Sequence, residues 1–369
     1  MSSNAPDAGA ASRAVFFGEL LMSLVPPGME RLVAARELVV RYTGAEANAA
    51  VCLQNWGVDA RLVSAVPPGD IGDACINAFR RFGVDTGTVL RRGSRLGVLY
   101  MEAGAAQRST KVIYDRAHSA FSELGPGDVR WDEALAGADC FHVSGTAPAL
   151  SANLAELVIE GCARARDAGL RVSMDLNFRS QLWRWDEGTP PRELAARVVK
   201  RILPCVDLVI ANEGQARDVL GIEVEGLPPV REDSGLAARC DLARRVAAEC
   251  PAARAVAFTV RETLSSSHCR WGALLYDVEK DRAIIAPAGE GGEYAPYEIT
   301  PIVDRVGAGD SFAAGLIRGL LRGEGFESTL DFAVAASCLK HSIPGDLNLV
   351  SESEVRALLD GGSLGMILR

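Results

Sequence analysis

Short apolar segments alternate with longer segments of helical period along the chain, and no other feature of the sequence restricts the fold as strongly. Seven apolar segments predict strands: AVFFG, RLVSAV, DCFHVSG, RVSMDLN, DLVIANE, RAVAFTV and ALLYDV. The helices predicted between and after them are Glu46–Trp56, Ile71–Phe82, Ser151–Ala168, Ala237–Glu249, Ser311–Arg322 and Glu327–His341. Strands that alternate with helices are typical of a mainly parallel sheet covered by helices. The sequence therefore predicts an α/β fold.

One segment interrupts this alternation. The run TVLRRGSRLGVLYMEAGAAQRSTKVIYDR contains two short apolar stretches joined by a glycine-containing turn, which predicts a β-hairpin. We expect this hairpin, at about 88–120 and together with part of about 20–42, to form a small lid. Residues 1–12 are rich in Ala, Ser and Gly without periodicity and predict a flexible tail. The remainder, 13–369, is expected to form one domain into which the lid is inserted.

Composition argues against several classes of function. The net charge of −9 disfavours a nucleic-acid partner, because such a partner requires a basic face. No apolar run approaches the roughly 20 residues that span a bilayer, so we expect no membrane association. The nine cysteines include no C-x-x-C pair and the four histidines lack helical i, i+4 spacing, so neither a disulfide framework nor a Cys or His metal site is predicted. This cysteine usage fits a cytoplasmic protein.

Polar residues follow the predicted strands at the ends where ligands bind in open parallel sheets. Glu19 follows the first strand, and DLNFR, Asp175 to Arg179, ends the fourth. Asn212 and Glu213 end the fifth. For any one of these residues, helix capping or ordinary loop polarity is the simpler explanation, because Asp and Asn commonly cap helices.

A stronger constellation lies at Gly307, Ala308, Gly309 and Asp310, directly before an apolar helix. Small residues allow backbone N–H groups to converge on an anion, and a helix N-terminus adds about half a positive charge. An Asp at this place could take a proton from a hydroxyl that attacks a phosphoryl group. The alternative from the motif alone is a tight turn in which Asp310 caps the helix.

The sequence resembles the ribokinase-like, or PfkB, carbohydrate kinases at two signatures. The early glycine-rich signature of that family is matched by TGAEAN, Thr43 to Asn48, and the late one by DRVGAGD, Asp304 to Asp310. Within the family, the chain is most similar to 2-keto-3-deoxygluconate kinases. The resemblance implies a three-layer α/β sandwich with a β lid, and ATP with Mg²⁺ over the loop Gly307–Asp310. It also implies Asp310 as the general base.

The resemblance also implies roles for residues elsewhere in the chain. The residues expected to bind the sugar acid are Gly44, Asn48, Tyr100, Tyr114, Arg116, Asp175 and Arg179. Those expected to bind ATP are Asn177, Asn212, Thr259, Arg261, Gly307 and Gly309, with Glu213 near the metal. Two arginines suit a substrate carboxylate because a guanidinium binds it in bidentate fashion. Their alternative role is a surface ion pair. Relatives often pair through their lids, so a homo-oligomer is expected.

Three departures from the family pattern stand out. Thr43 replaces the first glycine of the early signature, Arg305 replaces the threonine of the late one, and Gln215 replaces a carboxylate in the motif linked to magnesium. The sequence leaves open whether a monovalent cation such as K⁺ sits near the loop before Asp346.

These observations favour ATP-dependent phosphorylation of the terminal hydroxyl of a sugar acid, with 2-keto-3-deoxygluconate and its 6-phosphate as the expected pair. Other sugar kinases of the family, such as a fructokinase or ribokinase, are the first alternative. A serine hydrolase with Ser311 as nucleophile is a second, although no hydrophobic strand precedes GDSFA and Ala313 stands where that motif needs glycine. A non-catalytic sugar or nucleotide sensor is the third, against which the retained Asp310 speaks.

Overall fold

A computed structural model describes residues 12–223, 226–228, 230 and 233–361, so the expected tail at 1–12 lies almost entirely outside the described residues. The strands are β1 (Arg13–Phe17), β2 (Leu21–Val25), β3 (Val39–Thr43), β4 (Asp59–Val66), β5 (Val89–Arg91), β6 (Gly97–Glu102), β7 (Lys111–Asp115), β8 (Cys140–Ser144), β9 (Arg171–Asp175), β10 (Leu208–Ala211), β11 (Ala255–Ser265), β12 (His268–Asp277), β13 (Arg282–Ala286) and β14 (Tyr297–Ile299). The helices are α1 (Ala45–Asn55), α2 (Asp70–Arg80), α3 (Trp131–Ala134), α4 (Ala152–Asp167), α5 (Pro191–Ile202), α6 (Glu213–Leu220), α7 (Asp233–Ala248), α8 (Ala308–Leu321), α9 (Phe326–Lys340) and α10 (Glu352–Leu359).

The central sheet has the strand order β13-β12-β11-β10-β9-β8-β1-β4-β5, with β14 paired to β12. The seven strands from β11 to β5 in this order pair in parallel with one another. Strand β12 pairs in antiparallel fashion with β11, β13 and β14. Because parallel strands end at the same edge, the residues that follow β1, β8, β9 and β10 are brought together there. The predicted mainly parallel α/β fold is confirmed.

The central strands carry apolar residues on both faces, which explains why helices pack against both faces of the sheet. On β1, Val15 and Phe17 pack into one core, whereas Ala14 and Phe16 pack into the other. The first core includes residues of α3 to α7, and the second includes residues of α1, α2, α8, α9 and α10. Successive side chains of a strand point to opposite faces, so these segments are apolar throughout rather than alternating. The result is three layers: helices, sheet, helices.

A separate four-stranded sheet has the order β3-β2-β6-β7 and is called the lid below. Its strands come from the two segments from which a lid was expected, but β5 pairs with β4 in the central sheet, so the second lid segment begins at Gly97 rather than near residue 88. No helix of the described residues is both long and apolar enough to cross a membrane.

Candidate active site

A cleft of about 650 Å³ lies between the lid and the carboxyl ends of the parallel strands. This volume is within the usual range for small-molecule sites. The cleft is lined by most of the residues that the sequence singled out: Gly44, Asn48, Tyr114, Arg116, Asp175, Asn177, Arg179, Asn212, Glu213, Thr259, Arg261, Gly307, Gly309 and Asp310. Residues from far-apart segments therefore meet in one place.

Residues 304–310 lead into α8, are called the anion loop below, and have the geometry of an anion site. Gly307 caps the helix with φ +82°, and a Cβ there would lie 1.9 Å from the carbonyl oxygen of Asp346, so only glycine fits. A Cβ at Gly309 would meet no atom within 4 Å. Within the described part of the chain, the amides of Gly307, Gly309 and Asp310 donate to no acceptor. Free amides at a helix N-terminus bind anions such as phosphate.

Ala308 differs from its neighbours because its side chain is buried and does not line the cleft. It is the first residue of α8, and its amide donates a long 3.4 Å bond to the carbonyl oxygen of Arg305. Ala308 thus shapes the turn into the helix, while the glycines on either side of it leave the loop open to the cleft.

Asp310 lies in the first turn of α8 and points toward α1. Its Oδ2 accepts a 2.7 Å hydrogen bond from Nδ2 of Asn48. Asn48 is held in turn by the hydroxyl of Thr43, 3.2 Å from Nδ2. The two sequence signatures therefore meet at this hydrogen bond, which holds the Asp310 carboxyl beside the anion loop.

The electrostatics of the cleft favour a proton on Asp310 in the ligand-free protein. Burial raises the pKa of Asp310 to about 8, against the effect of the hydrogen bond from Asn48, and the charges of Asp175, Glu46 and Asp346 add to the rise. A carboxyl with a pKa near the working pH is a better general base than an ordinary Asp.

The predicted DLNFR segment follows β9 into the cleft. Oδ1 of Asp175 accepts a 2.9 Å hydrogen bond from the amide of Asn177, which adopts φ +30°, a conformation that Asn tolerates better than most residues. Burial raises the pKa of Asp175 to about 6. This tight turn places the Asn177 and Arg179 side chains on the cleft wall.

Arg179 is an available cation. Its side chain is exposed, it donates only to the carbonyl oxygen of its neighbour Phe178 at 3.3 Å, and it forms no ion pair within the described residues. Two further arginines lie on the same wall. Arg261 stacks over the ring of Trp271 at 4.7 Å, and Arg305 donates a 2.7 Å hydrogen bond to the carbonyl oxygen of Ser266. This wall of the cleft is therefore positively charged.

Arg116 has a different environment from Arg179. Its Nε lies 2.5 Å from Oε2 of Glu19, and the two side chains are only 6% and 1% exposed. Ser119 also donates to Glu19. The charge of Arg116 is thus already balanced by a carboxylate of the chain, although the residue lines the cleft as the sequence predicted.

The lid contributes one of the two predicted tyrosines. Leu99 and Met101 of β6 line the cleft, and so do Val112 and Tyr114 of β7, but Tyr100 does not. Adjacent residues of a strand point to opposite faces, so Tyr100 lies on the face of the lid away from the cleft. The sequence motif located the strand but did not establish its inward face.

Asn212, Glu213 and Gln215 form the start of α6. Oδ1 of Asn212 accepts from the amide of Gln215 at 2.9 Å, and Oε1 of Gln215 accepts from the amide of Asn212 at 3.0 Å, which is a capping box. The amide in place of the expected carboxylate therefore has a local structural role. Glu213 lies 2.5 Å from Nε of Arg239 and is already paired.

The acidic residues of the cleft do not form a closed metal site. No group of three or more His, Cys, Asp or Glu side chains in the described residues is arranged to hold a metal ion. Mg²⁺ prefers oxygen ligands and commonly retains water while bound through one or two carboxylates and substrate phosphates. A magnesium ion that entered with ATP would find carboxylates on the cleft wall, Asp310 and Asp346 among them, that could hold it together with the phosphates.

The last two predicted residues, Gly44 and Thr259, also line the cleft. A Cβ at Gly44 would lie 2.4 Å from the carbonyl oxygen of Glu19, so this glycine allows a close approach of two backbones. Thr259 lies on β11 beside Arg261 on the cleft wall.

Sequence reasoning missed Glu46 and Asp346 as cleft residues. Glu46 accepts a 2.9 Å hydrogen bond from the amide of Ser144, and burial raises its pKa. Burial also raises the pKa of Asp346 to about 6. Glu46 is inside the TGAEAN signature and could have been noticed there, whereas Asp346 carries no local signal.

The serine hydrolase alternative is not supported. Ser311 is fully buried, and its hydroxyl oxygen accepts a 2.7 Å hydrogen bond from Nδ2 of Asn348. A nucleophilic serine must reach its substrate, whereas this hydroxyl connects α8 to the segment after α9.

Comparison with known proteins agrees with the geometry. The model of the pfkB family of carbohydrate kinases matches residues 11–351. The 2-dehydro-3-deoxygalactonokinase of Haloferax volcanii is 32% identical over 352 residues, which cover 95% of this chain and 98% of that protein. The crystal structure of the 2-dehydro-3-deoxygluconokinase of Thermotoga maritima is 38% identical, with a TM-score of 0.85 and coverage of 95% of this chain and 100% of that chain.

A fructokinase of Xylella fastidiosa with bound ATP shares the fold, with a TM-score of 0.73 at 21% identity and coverage of 95% and 98% of the two chains. The family match spans both signatures and the whole cleft, and the two closer relatives cover nearly the full length of the chain. The chain is a member of the pfkB family of carbohydrate kinases and acts as a sugar kinase.

Proposed function

We propose that this kinase transfers the γ-phosphoryl group of ATP to the terminal hydroxyl of 2-keto-3-deoxygluconate and forms the 6-phosphate. The observation that carries the proposal is that three groups line one cleft: the Asp310 carboxyl, the loop amides, and the Arg179 guanidinium, which forms no ion pair with any described residue. The first two serve phosphoryl transfer, and the third serves recognition of an acidic sugar.

Asp310 is the proposed general base. As the sugar oxygen forms its bond to the γ-phosphorus, the hydroxyl proton passes to the Asp310 carboxylate, and the bond to the bridging oxygen breaks to release ADP. The free amides of Gly307 and Gly309 face the same cleft and stabilise negative charge on the phosphoryl oxygens. Magnesium, when bound with ATP, supplies further positive charge at the phosphates.

Arg179 is the proposed ligand of the sugar carboxylate. Among the described residues Arg179 has no ion-pair partner, and a guanidinium in that state at a cleft wall is suited to a carboxylate. A neutral hexose needs no such charge. Arg116 is a weaker candidate because it already pairs with Glu19, so a substrate would share its remaining N–H groups. Asn48, Tyr114 and Gly44 complete the proposed sugar side, and Asn177, Asn212, Thr259 and Arg261 the ATP side.

The names of the relatives agree with an acidic keto sugar and leave two epimers to distinguish. The Haloferax volcanii protein is named for the galacto form, whereas the Bacillus subtilis relative, 24% identical over 338 residues, and the Thermotoga maritima protein are named for the gluco form.

The test is a measurement of ADP release with ATP and magnesium. The acceptors are 2-keto-3-deoxygluconate, its galacto epimer, fructose, ribose and adenosine at matched concentrations, with a control without any acceptor. We expect turnover selective for the keto sugar acids, and phosphorus NMR of the product should show a phosphate ester at the terminal carbon. Selectivity for fructose or ribose would retain the kinase and reject the assignment of Arg179. No turnover with any acceptor would reject the proposed substrate.

A homo-oligomer in the cytoplasm remains a prediction. Val40 and Ile113 are exposed apolar residues on two strands of the lid sheet, which supports pairing through the lid. Light scattering after size-exclusion chromatography should give at least twice the chain mass, and Val40→Asp should reduce it. A monomer at all concentrations would reject this prediction.

A further inference from the structure

Lys340 is a lysine inside the protein, next to the anion loop. It is the last residue of α9, and its side chain is 0% exposed. Its Nζ donates a 3.0 Å hydrogen bond to the carbonyl oxygen of Ile343 and lies 3.5 Å from the carbonyl oxygen of Asp304. It forms no direct ion pair within the described residues. A buried ammonium held by carbonyl oxygens is uncommon, because lysine is almost never fully buried without a partner charge.

The two carbonyl groups belong to the two segments that shape the anion loop. Asp304 begins the loop, and its carboxylate accepts from the amide of Val306 at 3.1 Å and from the amide of Gly345 at 2.9 Å. The amides of Val303 and Asp304 both donate to the carbonyl oxygen of His341. Lys340 thus lies at the junction of the loop with the segment after α9, on which Gly307 packs.

Two carboxylates near Lys340 favour its ammonium form and oppose the effect of burial. Burial lowers the pKa of Lys340, whereas the carboxylates of Asp304 and Asp346 oppose this change and favour the charged form. In return, Lys340 lowers the pKa of Asp346, which burial and Asp304 raise. One fixed positive charge therefore offsets a cluster of acidic groups beside the site for ATP.

Carbonyl oxygens that converge on one point are also the ligands of a monovalent cation such as K⁺. A lysine ammonium is a compact point charge with three donors, so it can satisfy the same oxygens. The oxygens of Asp304 and Ile343 are directed at Nζ, and the arrangement therefore does not fit a free cation at the same place.

We propose that Lys340 is a built-in cation that positions the anion loop, so that this kinase binds ATP and turns over without a free monovalent cation. The proposal rests on the assignment of ATP to this loop but not on the identity of the sugar. Lys340 acts through the loop and is therefore a positioning residue. Oδ2 of Asp346 is buried and has no hydrogen-bond partner in the described part of the chain. An added cation that bound there would oppose the proposal.

The first experiment uses the unmodified protein. ATP affinity is measured by calorimetry without sugar, and the unfolding temperature by calorimetric scanning, in potassium chloride and in tetramethylammonium chloride at equal ionic strength. We expect the ATP affinity to agree within about twofold between the two salts, because the ionic strength is the same, and the unfolding temperature to agree as well. Saturable tightening of ATP binding by K⁺ would overturn the proposal.

The second experiment uses Lys340→Met, which keeps the length of the stem and removes the charge. The matched control is Lys200→Met, because Lys200 is exposed on α5. In tetramethylammonium chloride we expect Lys340→Met to bind ATP on the order of 10- to 100-fold more weakly, since a displaced loop loses its alignment. Potassium or ammonium should restore much of this affinity and raise the unfolding temperature of this variant alone.

The outcomes distinguish whether Lys340 acts through its positive charge or only through packing. Wild-type affinity in Lys340→Met would overturn the proposal, and so would a folded variant whose lost affinity no cation restores. If the variant does not fold, the comparison of salts on the unmodified protein decides. A wrong assignment of the sugar leaves these results unchanged, because ATP binding is measured without sugar.

Discussion

Asn48 and Asp310 are 262 positions apart in the chain, and Nδ2 of Asn48 donates a 2.7 Å hydrogen bond to Oδ2 of Asp310. The bond joins the N-terminal half of α1 to the first turn of α8. It opposes the rise that burial causes in the pKa of Asp310, because it stabilises the ionised carboxylate. Asn48 of the early signature therefore lowers the pKa of Asp310, which belongs to the late signature.

Asn48→Ala should move the pH dependence of the reaction upward. Loss of one hydrogen bond to a carboxylate raises its pKa by roughly one to two units, since such bonds contribute about 1.5–3 kcal/mol. We expect the acidic limb of the kcat/KM profile to shift to higher pH. Asn55→Ala on the same helix is the control, because Asn55 bonds to Val350 instead. Identical pH profiles for Asn48→Ala and wild type would show that this hydrogen bond does not set the pKa of the base.

Asp310→Asn should reduce kcat by about 10²- to 10⁴-fold, the range found for loss of general base catalysis. ATP affinity, measured by calorimetry without sugar, should remain within about threefold of wild type, because the loop amides are unchanged. Asp241→Asn is the matched control, since Asp241 is exposed on α7. Turnover near the wild-type rate in Asp310→Asn would reject the assignment of the base.

The loop and the sheet edge that the sequence singled out lie in one cleft of the structure, because both are features of the backbone that a short stretch of sequence reveals. Glycines and a helix start are visible in a single stretch such as Gly307–Asp310, and a strand followed by polar residues locates the edge of a parallel sheet. The structure begins α8 at Ala308 rather than at Ser311, because Gly307 in a left-handed conformation already turns the chain into the helix.

Side-chain partners were harder to predict because they depend on contacts between distant segments. Nothing near Arg116 indicates that Glu19, 97 residues earlier, takes its charge. The inward face of β6 depends on its register with β7, which places Leu99 opposite Tyr114 and leaves Tyr100 on the other side. Gln215 illustrates a local signal that was available, because Asn followed three residues later by Gln is a capping box.

Arg179→Ala should raise KM for 2-keto-3-deoxygluconate by roughly 10- to 100-fold, as expected when a charged hydrogen-bond pair is lost. Affinity for ATP should change little. Arg184→Ala is the control, because Arg184 is exposed on the same segment. An unchanged KM in initial-rate measurements would remove Arg179 from the carboxylate site.

Arg116→Ala should destabilise the protein in a way that Arg179→Ala does not. The change leaves Glu19 buried without its ion-pair partner, which costs about 3–5 kcal/mol in comparable pairs. Urea unfolding measures this loss, and the double variant Arg116→Ala with Glu19→Gln should recover part of it. Arg130→Ala is the control, because Arg130 pairs with Glu133 at the surface and should contribute at most about 1 kcal/mol. Equal stability of Arg116→Ala and Arg130→Ala would show that the buried pair contributes little to folding.

Asp310 should also lower the stability of the ligand-free protein as pH rises. Its pKa is raised by burial from 3.8 to about 8, so the folded protein binds a proton there that the unfolded chain has lost. Where the folded state binds more protons than the unfolded state, the free energy of unfolding falls as pH rises, in this case between about pH 4 and pH 8.

Asp310→Asn removes the ionisable group, so the unfolding temperature of this variant should exceed that of wild type by about 1–3 °C near pH 8.5. The difference should shrink near pH 5, where Asp310 is protonated in the folded state. Calorimetric scans of both proteins at the two pH values measure the effect. A difference independent of pH would assign it to packing rather than to the charge on Asp310.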